Sequence, residues 1–150
     1  MPKCDIFFDS SALIAGIASA TGASRALLLL AEDEKIIISV SEQVITEVER
    51  NIAHKVPKAL PFSREMILRA NIRILRDPPI EVILLHLDWI SHQSDVPILV
   101  AASIARVDFL TTLNTKHFFD PEVSRWSGVR IGTPANALAW VREQWSNSNE

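Results

Sequence analysis

Three polar residues, Asp9, Asp95 and Asn114, occupy positions where alternating strands and helices would bring their side chains together. Asp9 follows the apolar run CDIFF (4–8), which is typical of a buried strand, and Asn114 follows the short run FLTT. Asp95 precedes a helical segment with Pro97 in its first turn, so its carboxylate is expected at the positive end of a helix dipole. Because sites in open α/β sheets lie at the carboxyl ends of strands, these side chains are expected to converge. Clustered carboxylates need a cation, and oxygen ligands favour Mg²⁺ or Mn²⁺ over Zn²⁺.

The elements that must position these residues follow from the hydrophobic pattern. It predicts strands near 4–8, 35–39, 108–112 and 128–131, with a further short strand at 80–84. It predicts helices near 11–18, 23–31 and 95–105, a basic helical pair within 41–76 (41–54 and 62–76), and a C-terminal helix at 133–146. Strands that alternate with helices indicate a three-layer α/β/α fold with a central, mostly parallel sheet.

Length and composition narrow the class of protein. A chain of 150 residues with 48% hydrophobic content is expected to form a single domain, 1–150, with its own core. The one cysteine, Cys4, excludes an internal disulfide and is predicted to be a core residue. We expect a cytoplasmic protein with no membrane association, because the sequence has neither a cleavable signal pattern nor about 18 consecutive apolar residues.

The charge is unevenly distributed although its sum is only −3. Residues 50–76 contain seven bases and one acid, which gives this segment a charge of +6 and leaves −9 on the remainder. Two interpretations are open: a solvated helix pair whose bases pair with acids, or a surface that contacts phosphates. In the second interpretation, Lys55, Lys58 and Arg69 are the candidate RNA-binding residues.

The helix at 41–54 carries a further candidate acid. Its apolar stripe (44, 45, 48 and 52) has Glu47 on one flank and Glu49 on the other, so periodicity alone does not choose between the two. The histidines His86 and His92 have no second His or Cys at a recognised ligand spacing, so surface or packing roles are predicted for them. The sequence contains no Gly-rich phosphate loop and no nucleophile elbow.

Three segments, taken in order, resemble a known family: FFDSSALIAG, SEQVITEVERNI and SDVPILVAASIARVDFLTTLNTKHF. They are similar to the acidic motifs of the PIN (PilT N-terminus) domain, which occurs in nucleases including VapC-type toxins of bacterial toxin–antitoxin pairs. The resemblance covers roughly residues 5–132. It implies a metal site at Asp9, Glu47 and Asp95. Asn114 stands where the family often has a fourth acid, and Thr112 matches the hydroxyl residue two places earlier.

The resemblance implies an Mg²⁺- or Mn²⁺-dependent endoribonuclease in which these five residues form the catalytic site. It also implies an antitoxin protein as partner, and a homodimer is expected. One alternative is a PIN-like module that has weak or no catalysis and works by binding RNA or protein, which the departure at Asn114 favours. Another is a flavodoxin-like receiver domain, although that class needs a second acid where Ser10 stands and a lysine for which Lys116 is the one candidate.

Overall fold

Strands and helices alternate along most of the chain in the computed structural model, which describes residues 2–148. The strands are β1 (Asp5–Phe8), β2 (Ile37–Ser41), β3 (Arg73–Leu75), β4 (Phe109–Thr111) and β5 (Ile131–Gly132). The helices are α1 (Ser10–Ala18), α2 (Ala23–Glu32), α3 (Glu42–Lys55), α4 (Leu60–Arg69), α5 (Ile80–Leu84), α6 (Val96–Ile104), α7 (Thr115–Phe118), α8 (Pro121–Ser127) and α9 (Pro134–Ser148). Short 3-10 turns lie at Pro57–Ala59 and Gln93–Asp95.

The five strands form one parallel sheet in the order β3-β2-β1-β4-β5. In the register of the sheet, Phe8 lies opposite Thr111 of β4, so β1 and β4 end side by side. The predicted α/β fold with a central parallel sheet is confirmed. The strand order differs from the 2-1-3-4-5 order of flavodoxin-like receiver domains, which rules out that interpretation.

Both faces of the sheet are covered by helices. Consecutive residues Ile6, Phe7 and Phe8 of β1 are fully buried although their side chains point to opposite faces. Helices α1, α2, α3 and α9 pack together as one connected group, and α5, α6 and α8 form another. Cys4 is buried in the core, as predicted. Within residues 2–148 no single helix is long and apolar enough to cross a membrane; α1 and α2 pass that test together by length and composition, but they meet at 87°.

The predicted second helix of the basic pair is shorter than expected. Helix α4 ends at Arg69, and part of the remaining segment up to residue 76 forms the edge strand β3. The cause is Asn71, which adopts a left-handed conformation (φ 52°) just after the C-cap. Its N–H donates to the Leu68 carbonyl and the Ile72 N–H to the Ile67 carbonyl, the two hydrogen bonds of a Schellman cap.

The same cap terminates two other helices. Glu34 after α2 (φ 61°) and Arg106 after α6 (φ 54°) are also left-handed, with equivalent pairs of hydrogen bonds. Each of the three caps leads directly into a strand, β2, β3 or β4. Asparagine visits this conformation readily, whereas Glu and Arg give little sequence signal for it.

Two strand predictions are also corrected. Residues 80–84 form helix α5 rather than a strand, because the Pro79 carbonyl accepts hydrogen bonds from the N–H groups of Val82 and Ile83 and starts a helical turn. The predicted strand at 128–131 is displaced to Ile131–Gly132, since Gly128 (φ 70°) still belongs to the C-cap of α8. The C-terminal helix lies where predicted and extends to Ser148.

Candidate active site

Asp9 lies at the carboxyl end of β1 and is only 4% exposed. Its Oδ1 accepts hydrogen bonds from the Ala12 N–H (2.9 Å), which caps helix α1, and from Ser11 Oγ (2.7 Å). Its Oδ2 accepts a hydrogen bond from Thr112 Oγ1. Burial raises the pKa of Asp9 above its ordinary value, the hydrogen bonds oppose this shift, and the negative charge of Asp95 adds to it. Asp9 is therefore a rigidly held carboxylate whose ionised form is costly without a nearby positive charge.

Thr112 and Asn114 connect Asp9 to the other half of the site. Thr112 follows β4 and is fully buried, and its Oγ1 accepts a hydrogen bond from the Asn114 backbone N–H (2.9 Å). The side-chain amide nitrogen of Asn114 lies 2.8 Å from Nδ1 of His117. The structure thus places Asn114 at the carboxyl end of β4, beside an imidazole.

Asp95 occupies the N-cap position of α6, but its carboxylate makes no capping hydrogen bond to the helix. Instead Oδ2 lies 2.7 Å from Nδ1 of His117, the distance of a hydrogen bond in which an imidazole N–H donates. Nδ1 of His92 lies 3.5 Å from the same oxygen, and the Asp95 side chain is 13% exposed. Asp95 is therefore oriented by imidazoles and not by the helix N-terminus.

Sequence reasoning missed these two histidines as site residues. His92 and His117 stack with ring centroids 4.1 Å apart and an angle of 14° between their planes. Together with Asp95 they place three ligand atoms within 4.8 Å of one another. The available signal was the i, i+3 spacing of His92 and Asp95, but His117 is distant in sequence and joins them only through the fold. His86, in contrast, has the predicted packing role, since it stacks on Trp89.

The structure distinguishes Glu47 from Glu49. Glu47 accepts hydrogen bonds from Ser10 Oγ (3.3 Å), next to Asp9, and from Gln43 Nε2 (3.1 Å). Gln43 Nε2 also donates to the carbonyl oxygen of Ser94 (3.1 Å), the residue before Asp95. Glu49 turns away and pairs with Arg64 at 2.9 Å. Glu47 is thus the glutamate that faces the two aspartates.

The basic candidates lie outside this cluster. Lys55 ends α3, eight residues beyond Glu47 and therefore about 12 Å along the helix axis. Lys58 is exposed in the 3-10 turn that follows, while Arg69 pairs with Glu65 across one helical turn (2.7 Å). The structure therefore brings none of the three to the carboxylates, and Arg69 partly fits the solvated-helix interpretation.

The donors gathered here fit a divalent cation. Asp9, Glu47 and Asp95 offer carboxylate oxygens, and Asp9 is buried with a raised pKa, which a nearby cation would reverse. His92 and His117 add nitrogen donors, which Mn²⁺ and other transition ions accept more readily than Mg²⁺ does. A site of this composition can activate water and neutralise charge on a phosphate.

Comparisons with known proteins agree with this geometry. A family model described as a PIN domain matches residues 5–116, a range that includes Asp9, Glu47, Asp95 and Asn114. The fold is similar to the crystal structure of PAE2754 from Pyrobaculum aerophilum, with a TM-score of 0.64 and 15% sequence identity, over 93% of this chain and 90% of that one. No curated protein matches the chain significantly.

Proposed function

The chain belongs to the PIN domain family, and from this premise we propose that it is a metal-dependent ribonuclease, a hydrolase that cleaves phosphodiester bonds in RNA. PIN domains generally are nucleases. The observation that carries the proposal is the proximity of Asp9 and Asp95, which is close enough for the charge of one to raise the pKa of the other. Hydrogen bonds and polar contacts through Thr112, Asn114 and His117 join the two carboxylates into one network.

In this proposal Asp9, Glu47 and Asp95 hold Mg²⁺ or Mn²⁺. When bound, the cation would supply an activated water and neutralise the negative charge that builds on the phosphate during in-line attack. The protein's part is orientation: Thr112 fixes one oxygen of Asp9, and His117 fixes one oxygen of Asp95. Asn114 contributes its backbone N–H to Thr112 and a neutral amide where a fourth carboxylate would add repulsion.

The test is cleavage of single-stranded RNA with Mg²⁺, with Mn²⁺ and with a chelator. Asp9→Asn and Asp95→Asn should each abolish metal-dependent cleavage, because each removes a charged ligand while preserving side-chain shape. Full activity in either variant would show that the chemistry lies elsewhere. A wild-type protein that binds RNA but never cleaves it would favour the alternative of a catalytically inactive binding module.

Helix α3 supplies a matched pair of control variants. Glu47→Gln should reduce cleavage, since Glu47 contacts Ser10 at the site, whereas Glu49→Gln removes the same charge from the same helix and should leave cleavage unchanged. Melting temperatures in chelator should show all four proteins folded. Equal losses in the two glutamine variants would refute the placement of Glu47 in the site.

We further propose that the protein acts in the cytoplasm as the toxin of a toxin–antitoxin pair, as a homodimer that an antitoxin protein inhibits. The similarity of its motifs to VapC-type toxins supports this, as does the apolar surface of α4, where Phe62 is 45% and Leu68 77% exposed. Light scattering across concentrations tests the dimer. Growth arrest on expression, relieved by the product of an adjacent gene, tests the pair; normal growth at high expression of active enzyme would contradict it.

A further inference from the structure

A cleft of about 260 Å³ adjoins the active site on the side of His117. One wall comes from the segment 87–91, between α5 and the turn that carries Asp95, and the other from the region 116–126. His117 is shared by the cleft and the carboxylate cluster, so a ligand in the cleft lies next to the proposed site of hydrolysis. Neither the fold nor the proposed metal site accounts for the side chains that line it.

Two tryptophans line this cleft. Trp126 on α8 is 48% exposed, which leaves much of a large indole ring in contact with water. Trp89, on the opposite wall, is partly buried and is held by stacking on His86 with ring centroids 4.0 Å apart. An exposed indole in a concave surface beside a phosphodiester site provides a platform on which an unpaired base can stack.

The charges of the cleft show which part of a nucleic acid it would accept. Three carboxylates line it (Asp88, Asp120 and Glu122) against one lysine, Lys116, so a phosphate would be repelled from its interior. Asp120 caps α8 and Glu122 pairs with Arg125 at 2.9 Å. Within the part of the chain that the structure describes, Asp88 has neither a hydrogen bond nor an ion pair from its side chain. Its carboxylate is therefore available to accept N–H groups from the edge of a base.

We propose that this cleft is a nucleobase subsite, which binds an unpaired base of the RNA strand next to the scissile phosphate. The base stacks on Trp126, and Asp88 accepts a hydrogen bond from an exocyclic amino group. Adenine and cytosine carry such a group and uracil does not, so the subsite favours A and C over U. This inference rests on the proposed function, because it takes RNA to be the substrate.

The test uses fluorescently labelled decamers of A, C and U, and anisotropy in the presence of a chelator so that no cleavage occurs. Trp126→Ala should weaken binding of the A and C decamers by roughly 5- to 150-fold, the loss of one base–aromatic stack. Trp126→Phe should restore most of the affinity. Trp145→Ala is the matched control, because Trp145 is a partly buried tryptophan that lines a different pocket, and its loss should leave affinity unchanged.

Asp88→Asn tests the base preference separately. It should reduce the advantage of the A and C decamers over the U decamer while leaving binding of the U decamer nearly unchanged. Equal affinity of wild type and Trp126→Ala, or equal losses in Trp126→Ala and Trp145→Ala, would overturn the subsite. Loss of the Trp126-dependent binding in millimolar inorganic phosphate would also overturn it, since the occupant would then be a phosphate.

These outcomes are distinguishable from failure of the nuclease proposal. If the protein binds RNA through Trp126 but cleaves none with any cation, the subsite stands and the nuclease proposal fails. If it cleaves RNA with the same KM in wild type and Trp126→Ala, the nuclease proposal stands and the subsite fails. Free AMP and CMP, as competitors, show whether a single nucleotide fills the cleft or whether the strand is required.

Discussion

Replacing Thr112 with valine should destabilise the protein by about 2–4 kcal/mol at neutral pH. Thr112 is fully buried, and its hydroxyl both donates to the Asp9 carboxylate and accepts the Asn114 N–H. Valine keeps the shape of the side chain and removes both hydrogen bonds. A hydrogen bond to a charged group contributes about 1.5–3 kcal/mol, and a neutral one contributes about 1 kcal/mol.

Thr111→Val is the matched control for this variant. Thr111 precedes Thr112, is also fully buried, and has a hydroxyl without a hydrogen-bond partner among the residues that the structure describes. The same substitution there should leave stability unchanged or raise it by about 1–3 kcal/mol, because a buried polar group without a partner is costly. The difference between the two variants therefore isolates the hydrogen bonds of the Thr112 hydroxyl.

The assay is urea denaturation in chelator over a range of acidic to neutral pH. Because the pKa of Asp9 is raised by folding, the folded state binds more protons between the unfolded and folded pKa values, and stability falls as pH rises through that interval. Thr112→Val removes a hydrogen bond that lowers this pKa, so its destabilisation should be largest at neutral pH and shrink as Asp9 is protonated. Equal effects of the two valine variants, or a destabilisation that grows on acidification, would refute the reasoning.

Two other perturbations test the site and the basic segment. Asn114→Asp places a fourth carboxylate near Asp95, so it should tighten Mn²⁺ binding by about 1–2 kcal/mol and lower the metal-free melting temperature; equal affinities in calorimetric titration would place the cation away from residue 114. Neutralising Lys55, Lys58 or Arg69 should weaken RNA binding and reduce its salt slope by roughly one unit for each phosphate that the variant no longer neutralises; an unchanged slope would leave these residues as a solvated surface.

Much of the fold could be predicted because its signals are local. The run before Asp9 is apolar without interruption, which marks a strand covered on both faces, and the acid directly after it must lie at a sheet edge. The end of α4 could not be predicted from periodicity, because the left-handed Asn71 overrides an apolar pattern that continues past it. The run at 80–84 was too short for its period to separate helix from strand.

The candidate site was predictable in part for the same reason. Asp9 and Asn114 follow strands, and their placement follows from a parallel sheet. Which of Glu47 and Glu49 faces the site depends on Ser10 and Arg64, which no pattern within α3 reveals. His117 approaches Asp95 only because α7 folds back over the start of α6, so no ligand spacing marks it.

The central position of β1 determines when, during synthesis, the site can first exist. Its partner β4 is made late, and Thr112 follows Asp9 by 103 residues. At roughly 5–20 residues per second, a ribosome needs about 5–20 s to pass from one to the other. During that interval one edge of β1 has no partner and Asp9 lacks its threonine. Whatever chemistry the site performs is therefore withheld from the nascent chain and begins only when nearly the whole protein has been translated.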